Sequence, residues 1–103
     1  MTLGQLIERL KDENPKKILR LGFRNPHSYR GYYDQLAFEP KQLIMVEDML
    51  KDAQSALGKT FEGYKGGEFK MSEHTDVWLA EYGNTSDEML SHRLLSYMLN
   101  DSV

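Results

Sequence analysis

The stretch Val77-Trp78-Leu79-Ala80 decides the fold, because it is apolar at every position. Successive side chains of a strand point to opposite faces, so a strand that is apolar throughout is covered on both faces. We therefore predict a strand over 76–82 that lies centrally in the sheet. The dipeptide Gly83-Asn84 follows it and is typical of a turn.

Further strands are predicted on the N-terminal side of this stretch. Short apolar runs indicate strands over 16–23, 35–38 and 68–71. Pro40 predicts that the second of these ends there or lies at a sheet edge, because proline has no amide hydrogen for the ladder. We expect 24–33 to be irregular, and 43–45 either extends the helix that follows or leads into it.

Three apolar stripes at helical spacing predict helices over 2–12, 46–57 and 86–99. In the last helix, Met89 and Leu90 are expected on the buried face, together with Leu94, Leu95 and Met98. The element order is therefore α-β-β-α-β-β-α. We expect a single α+β domain over 1–103, with a largely antiparallel sheet and packed helices.

Capping signals mark the ends of these helices. Thr2 with Gln5, and Thr85 with Glu88, are capping-box patterns at the starts of the first and last helix. Gly58 stands where a left-handed C-terminal cap would end the second helix.

Composition excludes several classes of protein. A chain of 103 residues with no cysteine has no disulfide, thiolate metal site or cysteine nucleophile. The net charge of -3 argues against a general nucleic-acid binder, which would carry a basic footprint. No apolar run approaches the roughly 20 residues of a membrane helix, and the N-terminus has no signal-peptide layout. We expect a cytoplasmic protein without membrane contact.

Two stretches, 25–40 and 60–71, combine cations, aromatic rings and glycine. In the first, the Arg30 guanidinium suits bidentate binding of phosphate, and Gly31 lets a ligand approach the backbone closely. Tyr29 and Tyr32 add stacking faces and hydroxyls. This composition is typical of a surface that binds a flat, anionic small molecule. The alternative is that the tyrosines cap the edge of the core and Arg30 forms a surface ion pair.

The second stretch contains Gly63–Gly67, which lacks the spacing of a phosphate-binding P-loop. A hairpin turn through Gly66-Gly67 explains these glycines. The functional alternative is a flexible flap whose amides and Lys65 close over an anion.

The spacing of the histidines and the residues around Ser28 indicate neither a metal site nor a catalytic site. The separations of His27, His74 and His92 match no compact zinc pattern, and no nucleophile elbow surrounds Ser28. We expect no metal, no cofactor and no catalytic set, with His27 as a ligand contact or a loop-capping residue. Arg93 lies near the buried stripe of the last helix and either snorkels outward or reaches the site.

Segment 22–40 reads G-F-x-x-P-H-S-Y-R-G-Y-Y-x-x-L-A-F-E-P. Together with 55–58, 60–71 and 77–83, it resembles small phage-encoded proteins of the first Thoeris anti-defence family. The resemblance covers most of the chain. Members of that family are signal sponges: they sequester cyclic ADP-ribose-type immune signals, some also hold cyclic oligonucleotides, and they assemble as oligomers. They bind the signal without cleaving it.

The resemblance implies roles for individual residues. Arg30 would contact phosphate, Tyr29, Tyr32 or Phe69 would stack on adenine, and Arg93 would be a second arginine at the site. The full set of candidate ligand-binding residues is Arg24, His27, Tyr29, Arg30, Gly31, Tyr32, Tyr64, Lys65, Gly66, Phe69 and Arg93.

Two other functions remain open at this point. One is an enzyme that cleaves such a signal and uses His27 or a glutamate as acid and base. The other is an inhibitor that binds a host protein through exposed aromatic side chains. Exposed tyrosines and methionines on a small domain also predict a homodimer or larger homo-oligomer.

Overall fold

The structure, a computed structural model, describes residues 1–29, 34–63, 66–80 and 87–103. Within these residues, three helices and six strands form a mixed α+β domain. The elements are α1 (Leu3–Lys11), β1 (Ile18–Ser28), β2 (Leu36–Met45), α2 (Val46–Ala56), β3 (Thr60–Glu62), β4 (Glu68–Lys70), β5 (Val77–Leu79), β6 (Glu88–Met89) and α3 (His92–Asn100). The predicted fold class and the order α-β-β-α-β-β-α are confirmed, with the short strands β3 and β6 added.

The main sheet has four strands in the order β1-β2-β5-β6. β1 and β2 pair in antiparallel fashion, as do β5 and β6, and β2 and β5 are the parallel neighbours between them. The central position predicted for Val77–Leu79 is therefore confirmed. β3 and β4 form a separate antiparallel hairpin.

The main core joins the sheet to the helices. Leu36 and Phe38 of β2 are fully buried in it, and the Phe38 ring lies 4.5 Å from the Phe23 ring of β1. α1 presents the apolar stripe expected from its sequence, namely Leu3, Leu6, Ile7 and Leu10. This cluster supplies most of the buried apolar surface, and so most of the driving force for folding.

The packing of α2 against the β1–β2 hairpin requires a residue without a side chain. A Cβ atom at Gly22 would lie 2.4 Å from Ile44 Cγ2 and 2.7 Å from Met49 Sδ. Because both distances are far below van der Waals contact, Gly22 allows the helix to approach this closely.

The capping signals of the first two helices are confirmed. The Thr2 side chain accepts a hydrogen bond from the Gln5 amide, and the Gln5 side chain accepts one from the Thr2 amide. Gly58, two residues beyond the end of α2, has a φ of +78°. The left-handed conformation that ends this helix is thus supplied by glycine.

β1 extends further than the sequence predicts, so the irregular assignment is wrong for residues 24–28. The pairing register shifts between Arg24 and His27, which indicates a bulge, and Asn25 has a φ of +53°. The Asn25 amide donates to Asp52 Oδ2 and its side-chain Nδ2 donates to Glu39 Oε2, each at 3.1 Å. Asparagine tolerates this backbone angle, and the two bonds hold the bulge, so the strand continues through it.

Asn25→Ala is expected to lower the free energy of unfolding by about 2 kcal/mol. Alanine costs roughly 1–2 kcal/mol in the left-handed region, and the bond to Glu39 contributes roughly 0.5–1.5 kcal/mol. Asn25→Gly is the matched control, because it loses the side-chain bond but keeps the backbone angle. Urea denaturation measures both variants, and equal losses in the two would contradict the role of the backbone angle.

β2 also runs further than predicted, since it continues through 43–45 to Met45. β5 pairs only with Leu36–Phe38 of β2. Beyond Phe38, the partner of β2 among the described residues is β1, and Pro40 lies there opposite Phe23. Of the two alternatives that the sequence offered for Pro40, a strand end there is wrong, and within the described residues Pro40 has no partner in β5, as the edge alternative requires.

The last helix begins later than predicted. α3 starts at His92, and the Ser91 hydroxyl accepts a hydrogen bond from the Leu94 amide at 3.1 Å as its N-cap. Glu88 and Met89 instead form β6 and pair with β5. The prediction of Glu88 in a capping box is therefore wrong, and its partner Thr85 lies outside the described residues, as does the predicted turn at 83–84.

The side chains of this region follow the new boundary. Met89 was predicted to be buried, but it is 43% exposed in β6. Leu90, Leu95 and Met98 are buried as predicted, and Leu94 is half-buried. Among the helices of the described residues, none has the length and apolar character needed to cross a lipid bilayer.

Candidate ligand-binding site

A second apolar cluster lies on the face of the sheet opposite the main core. It contains Tyr29, Ala37 and Ala80, with Trp78 packed against them, and we call these four residues the aromatic cluster. Ala37 stands between Leu36 and Phe38, which both belong to the main core. Because side chains alternate along a strand, Ala37 points to the other face.

The strand register places further side chains on this face. His27 pairs with Ala37, Ala37 pairs with Trp78, and Trp78 pairs with Met89. Residues that are directly opposite each other in paired strands lie on the same face. The row therefore crosses all four strands of the main sheet.

The rings of Tyr29 and Trp78 stack on each other. Their centroids are 4.4 Å apart and their planes make an angle of 14°. Trp78 lies in β5 and Tyr29 directly follows the last residue of β1, with β2 between those strands. The side chain of β2 at this level is the methyl group of Ala37, which leaves room for the two rings to meet above the strand.

Each ring also has a polar partner. The Trp78 Nε1–H group donates to Gln35 Oε1 at 2.5 Å. The Tyr29 hydroxyl donates to a carboxylate oxygen of Asp87. Buried tyrosine and tryptophan need such partners for their polar atoms, so Gln35 and Asp87 fix the positions of the two rings.

His27 connects the edge of the cluster to β5. Its Nδ1 lies 3.1 Å from the Ser28 carbonyl oxygen, and its Nε2 lies 3.3 Å from the Ala80 carbonyl oxygen. The tautomer decides which ring nitrogen donates. The imidazole thus spans from β1 to the residue that follows β5.

Several sequence-predicted site residues adjoin this cluster in the chain. Arg30, Gly31 and Tyr32 lie outside the described residues, in the segment that joins Tyr29 to Asp34. The Tyr29 amide donates to the Gln35 carbonyl oxygen at 2.8 Å, which closes the base of that segment. Residues 81–86 also lie outside the described residues. Asp87, which follows them, accepts the hydrogen bond from the Tyr29 hydroxyl.

The glycine-rich turn belongs to a different part of the molecule. The predicted hairpin turn is confirmed, with Gly66 and Gly67 at φ values of +86° and +91°. The Gly63 amide donates to the Gly67 carbonyl oxygen and the Gly66 amide donates to the Gly63 carbonyl oxygen, each at 3.0 Å. These two amides are therefore used inside the turn rather than offered to an anion. Tyr64 and Lys65 lie outside the described residues.

The remaining candidate residues do not join the aromatic cluster. Phe69 pairs with Phe61 across the hairpin and packs against the main core. Arg93 is exposed in the first turn of α3. Arg24 is exposed opposite Glu39, on the far side of the bulge from His27. Of the described candidates, the structure brings together His27 and Tyr29.

The residues that stack on Tyr29 or hydrogen-bond to the two rings, namely Trp78, Gln35 and Asp87, were absent from the sequence-based set. The sequence placed Trp78 in a central strand that is apolar on both faces, which is correct, but it assigned Trp78 no role in ligand binding. Within the described part of the chain, no charged side chain is buried and no group of three or more histidine, aspartate or glutamate residues could hold a metal ion.

Searches against protein-family models, curated proteins and solved structures found no match to this chain.

Proposed function

We propose that this domain binds a nucleotide-derived immune signal of the cyclic ADP-ribose type and sequesters it without cleaving it. The observation that carries the proposal is the Tyr29–Trp78 stack. In the sequence, Tyr29 is followed directly by Arg30, Gly31 and Tyr32. An aromatic platform suits an adenine ring, and an arginine beside it suits a pyrophosphate. The resemblance of 22–40 to the anti-defence sponges supports the same ligand class.

The geometry favours one ring as the stacking surface. Tyr29 is only 9% exposed and already packs on Trp78. Trp78 is half-buried and carries the larger ring. We therefore propose that Trp78 offers a base more surface than Tyr29 does, and that Tyr29 holds the Trp78 ring in place through the stack.

The polar groups near the stack support binding rather than cleavage. Asp87 accepts the Tyr29 hydroxyl hydrogen, and Gln35 accepts the Trp78 indole hydrogen. His27 lies against two backbone carbonyl oxygens. Each of these groups holds the architecture of the cluster, whereas an acid or base catalyst must reach the proton it transfers.

We further propose that the protein is a homo-oligomer in the cytoplasm of a host cell. Several large apolar side chains are exposed, among them Leu43 at 64%, Tyr97 at 71% and Met89 at 43%. Association between copies of the chain would remove such surface from water.

The test combines native mass spectrometry with recovery of the ligand, with cyclic ADP-ribose as the probe. The purified protein is incubated with the probe, its mass is recorded, and the protein is then heated to release what it holds. The expected result is a complex of two or more chains that retains the probe and releases it intact. A cleaved product would instead identify an enzyme, and capture of one host protein without nucleotide affinity would identify an inhibitor.

Arg30→Ala is expected to weaken binding of cyclic ADP-ribose by about 1.5–3 kcal/mol, because it removes a charge-assisted hydrogen bond to phosphate. Calorimetric titration measures the affinity. Arg20→Ala is the control, since it removes an exposed arginine that pairs with Asp101. Wild-type affinity in Arg30→Ala would exclude the proposed contact.

A further inference from the structure

Unpaired cations collect at one groove of the protein, apart from the aromatic cluster. Arg24, Lys41 and Lys51 line this groove, which has a volume of about 490 Å³ and lies between the β1–β2 hairpin and α2. In the described ranges, no side chain of the three makes an ion pair, a hydrogen bond or a ring contact. Most other described lysines and arginines have such a partner, for example Lys16 with Glu47 and Lys17 with Glu13.

The strand register and one bond from α2 explain why these three cations line the same groove. Arg24 stands opposite Glu39, and Lys41 lies two residues beyond Glu39 on the same side of β2. Such diagonal neighbours are about 7–8 Å apart, within reach of long side chains. Lys51 precedes Asp52 in α2, and the Asp52 carboxylate bonds to the amide of Asn25, the residue after Arg24.

The groove also contains two carboxylates, those of Asp48 and Asp52, against its three cations. Asp52 already accepts the Asn25 amide hydrogen. Asp48 lies in the first turn of α2, where the helix dipole favours a negative charge. The lining therefore keeps an excess of positive charge in a protein whose net charge is -3.

An exposed apolar surface adjoins these charges. Leu43 is 64% exposed and Ile18 is 41% exposed, and both line the groove together with half-buried Met45. A ligand that matches this lining carries a compact negative charge at one end and an apolar body at the other. An arginine fork with two lysines suits a phosphate group in particular.

We propose that this groove is a second binding site, which takes a phosphate monoester with an apolar body. Arg24, Lys41 and Lys51 hold the phosphate, and Leu43, Ile18 and Met45 receive the apolar part. The proposal is independent of the signal-binding site proposed above, because it uses no residue of the aromatic cluster. A nucleotide base or an alkyl chain could supply the apolar part, and the experiment distinguishes these two sources.

The test is a titration of the isotope-labelled full chain followed by amide NMR at low ionic strength. Hexyl phosphate, AMP, inorganic phosphate and hexanol are the four probes. We expect shifts at Arg24, Lys41, Leu43 and Lys51 with both esters, weaker binding of inorganic phosphate, and no saturable binding of hexanol. Tighter binding of AMP assigns a nucleotide, and tighter binding of hexyl phosphate assigns an alkyl ester.

The matched variants are Lys41→Gln/Lys51→Gln and the control Lys11→Gln/Lys70→Gln, which changes the net charge equally at exposed lysines outside the groove. We expect the first pair to weaken ester binding about tenfold or more and the control to change it less than about twofold. Equal effects in the two pairs would overturn the proposal. Hexanol binding as tight as hexyl phosphate would also overturn it.

The indole resonance of Trp78, the single tryptophan, separates this proposal from the proposed function. If the esters shift Trp78 but leave the groove residues unchanged, they bind at the aromatic cluster and the groove proposal fails. If cyclic ADP-ribose does not bind but the lysine-dependent groove site does, the proposed function fails and the groove site stands.

Discussion

Phe38→Ala is expected to lower the free energy of unfolding by about 3–5 kcal/mol, the range measured for loss of a buried aromatic ring. Phe38 is fully buried in β2, and its ring lies 4.5 Å from that of Phe23. Because β2 pairs with both β1 and β5, the cavity would open at the centre of the sheet. A domain of this size has a total stability of about 5–15 kcal/mol, so the variant would be close to unfolding.

Urea denaturation followed by far-ultraviolet circular dichroism measures this loss. The control is Tyr97→Ala, which also removes an aromatic ring, but from a side chain that is 71% exposed on α3. We expect the control to change stability by less than about 0.5 kcal/mol, as is usual for surface substitutions. A loss of under about 1 kcal/mol in Phe38→Ala would contradict the placement of its ring in the main core.

Trp78→Ala is expected to weaken binding of cyclic ADP-ribose by about 1–3 kcal/mol, which is the contribution of one base stacked on one aromatic ring. The expectation rests on the proposed function and on the stack that Trp78 forms with Tyr29. The variant also loses the indole bond to Gln35, so its binding is measured at a temperature where circular dichroism shows it to be folded.

Trp78→Phe is the matched variant for this experiment. Phenylalanine keeps a ring for the stack but has no N–H group for Gln35. Binding retained in Trp78→Phe and lost in Trp78→Ala would support the ring as the stacking surface. Equal losses in the two variants would show that the indole hydrogen bond, and not the ring face, matters for the ligand.

The periodic parts of the fold were predictable because local chemistry decides them. The stripe of α1, its Thr2–Gln5 capping box and the glycine at the end of α2 each depend on residues that are neighbours in the chain. The central position of β5 also followed from its apolar composition. In each of these cases the sequence pattern and the tertiary packing require the same conformation.

The wrong boundaries arose where a distant residue stabilises the local conformation. Asn25 and Pro26 suggest an irregular segment, but Asp52 and Glu39 hold Asn25 in the bulge, and the strand continues. Glu88 and Met89 fit a helical stripe, but pairing with β5 makes them a strand. Ser91, of a residue type favoured at the N-cap, marks the true start of α3.

The candidate site was predictable only in part, for the same reason. His27 and Tyr29 were named because rings and cations cluster in their segment. Trp78 and Asp87 could not be added without the register that places β5 two strands from β1 and brings Asp87 to the Tyr29 hydroxyl. A tryptophan in an apolar strand carries no signal that shows which face of the sheet it occupies.

The methyl group of Ala37 also limits how the sheet can be misassembled. Along β2, large side chains at Leu36 and Phe38 flank this small one. A slip of one residue in strand pairing would turn every side chain of β2 to the opposite face. Phe38 would then collide with the Tyr29–Trp78 stack, and Ala37 would leave a void in the main core. One alanine in an inner strand thus makes the mispaired arrangement unfavourable on both faces at once.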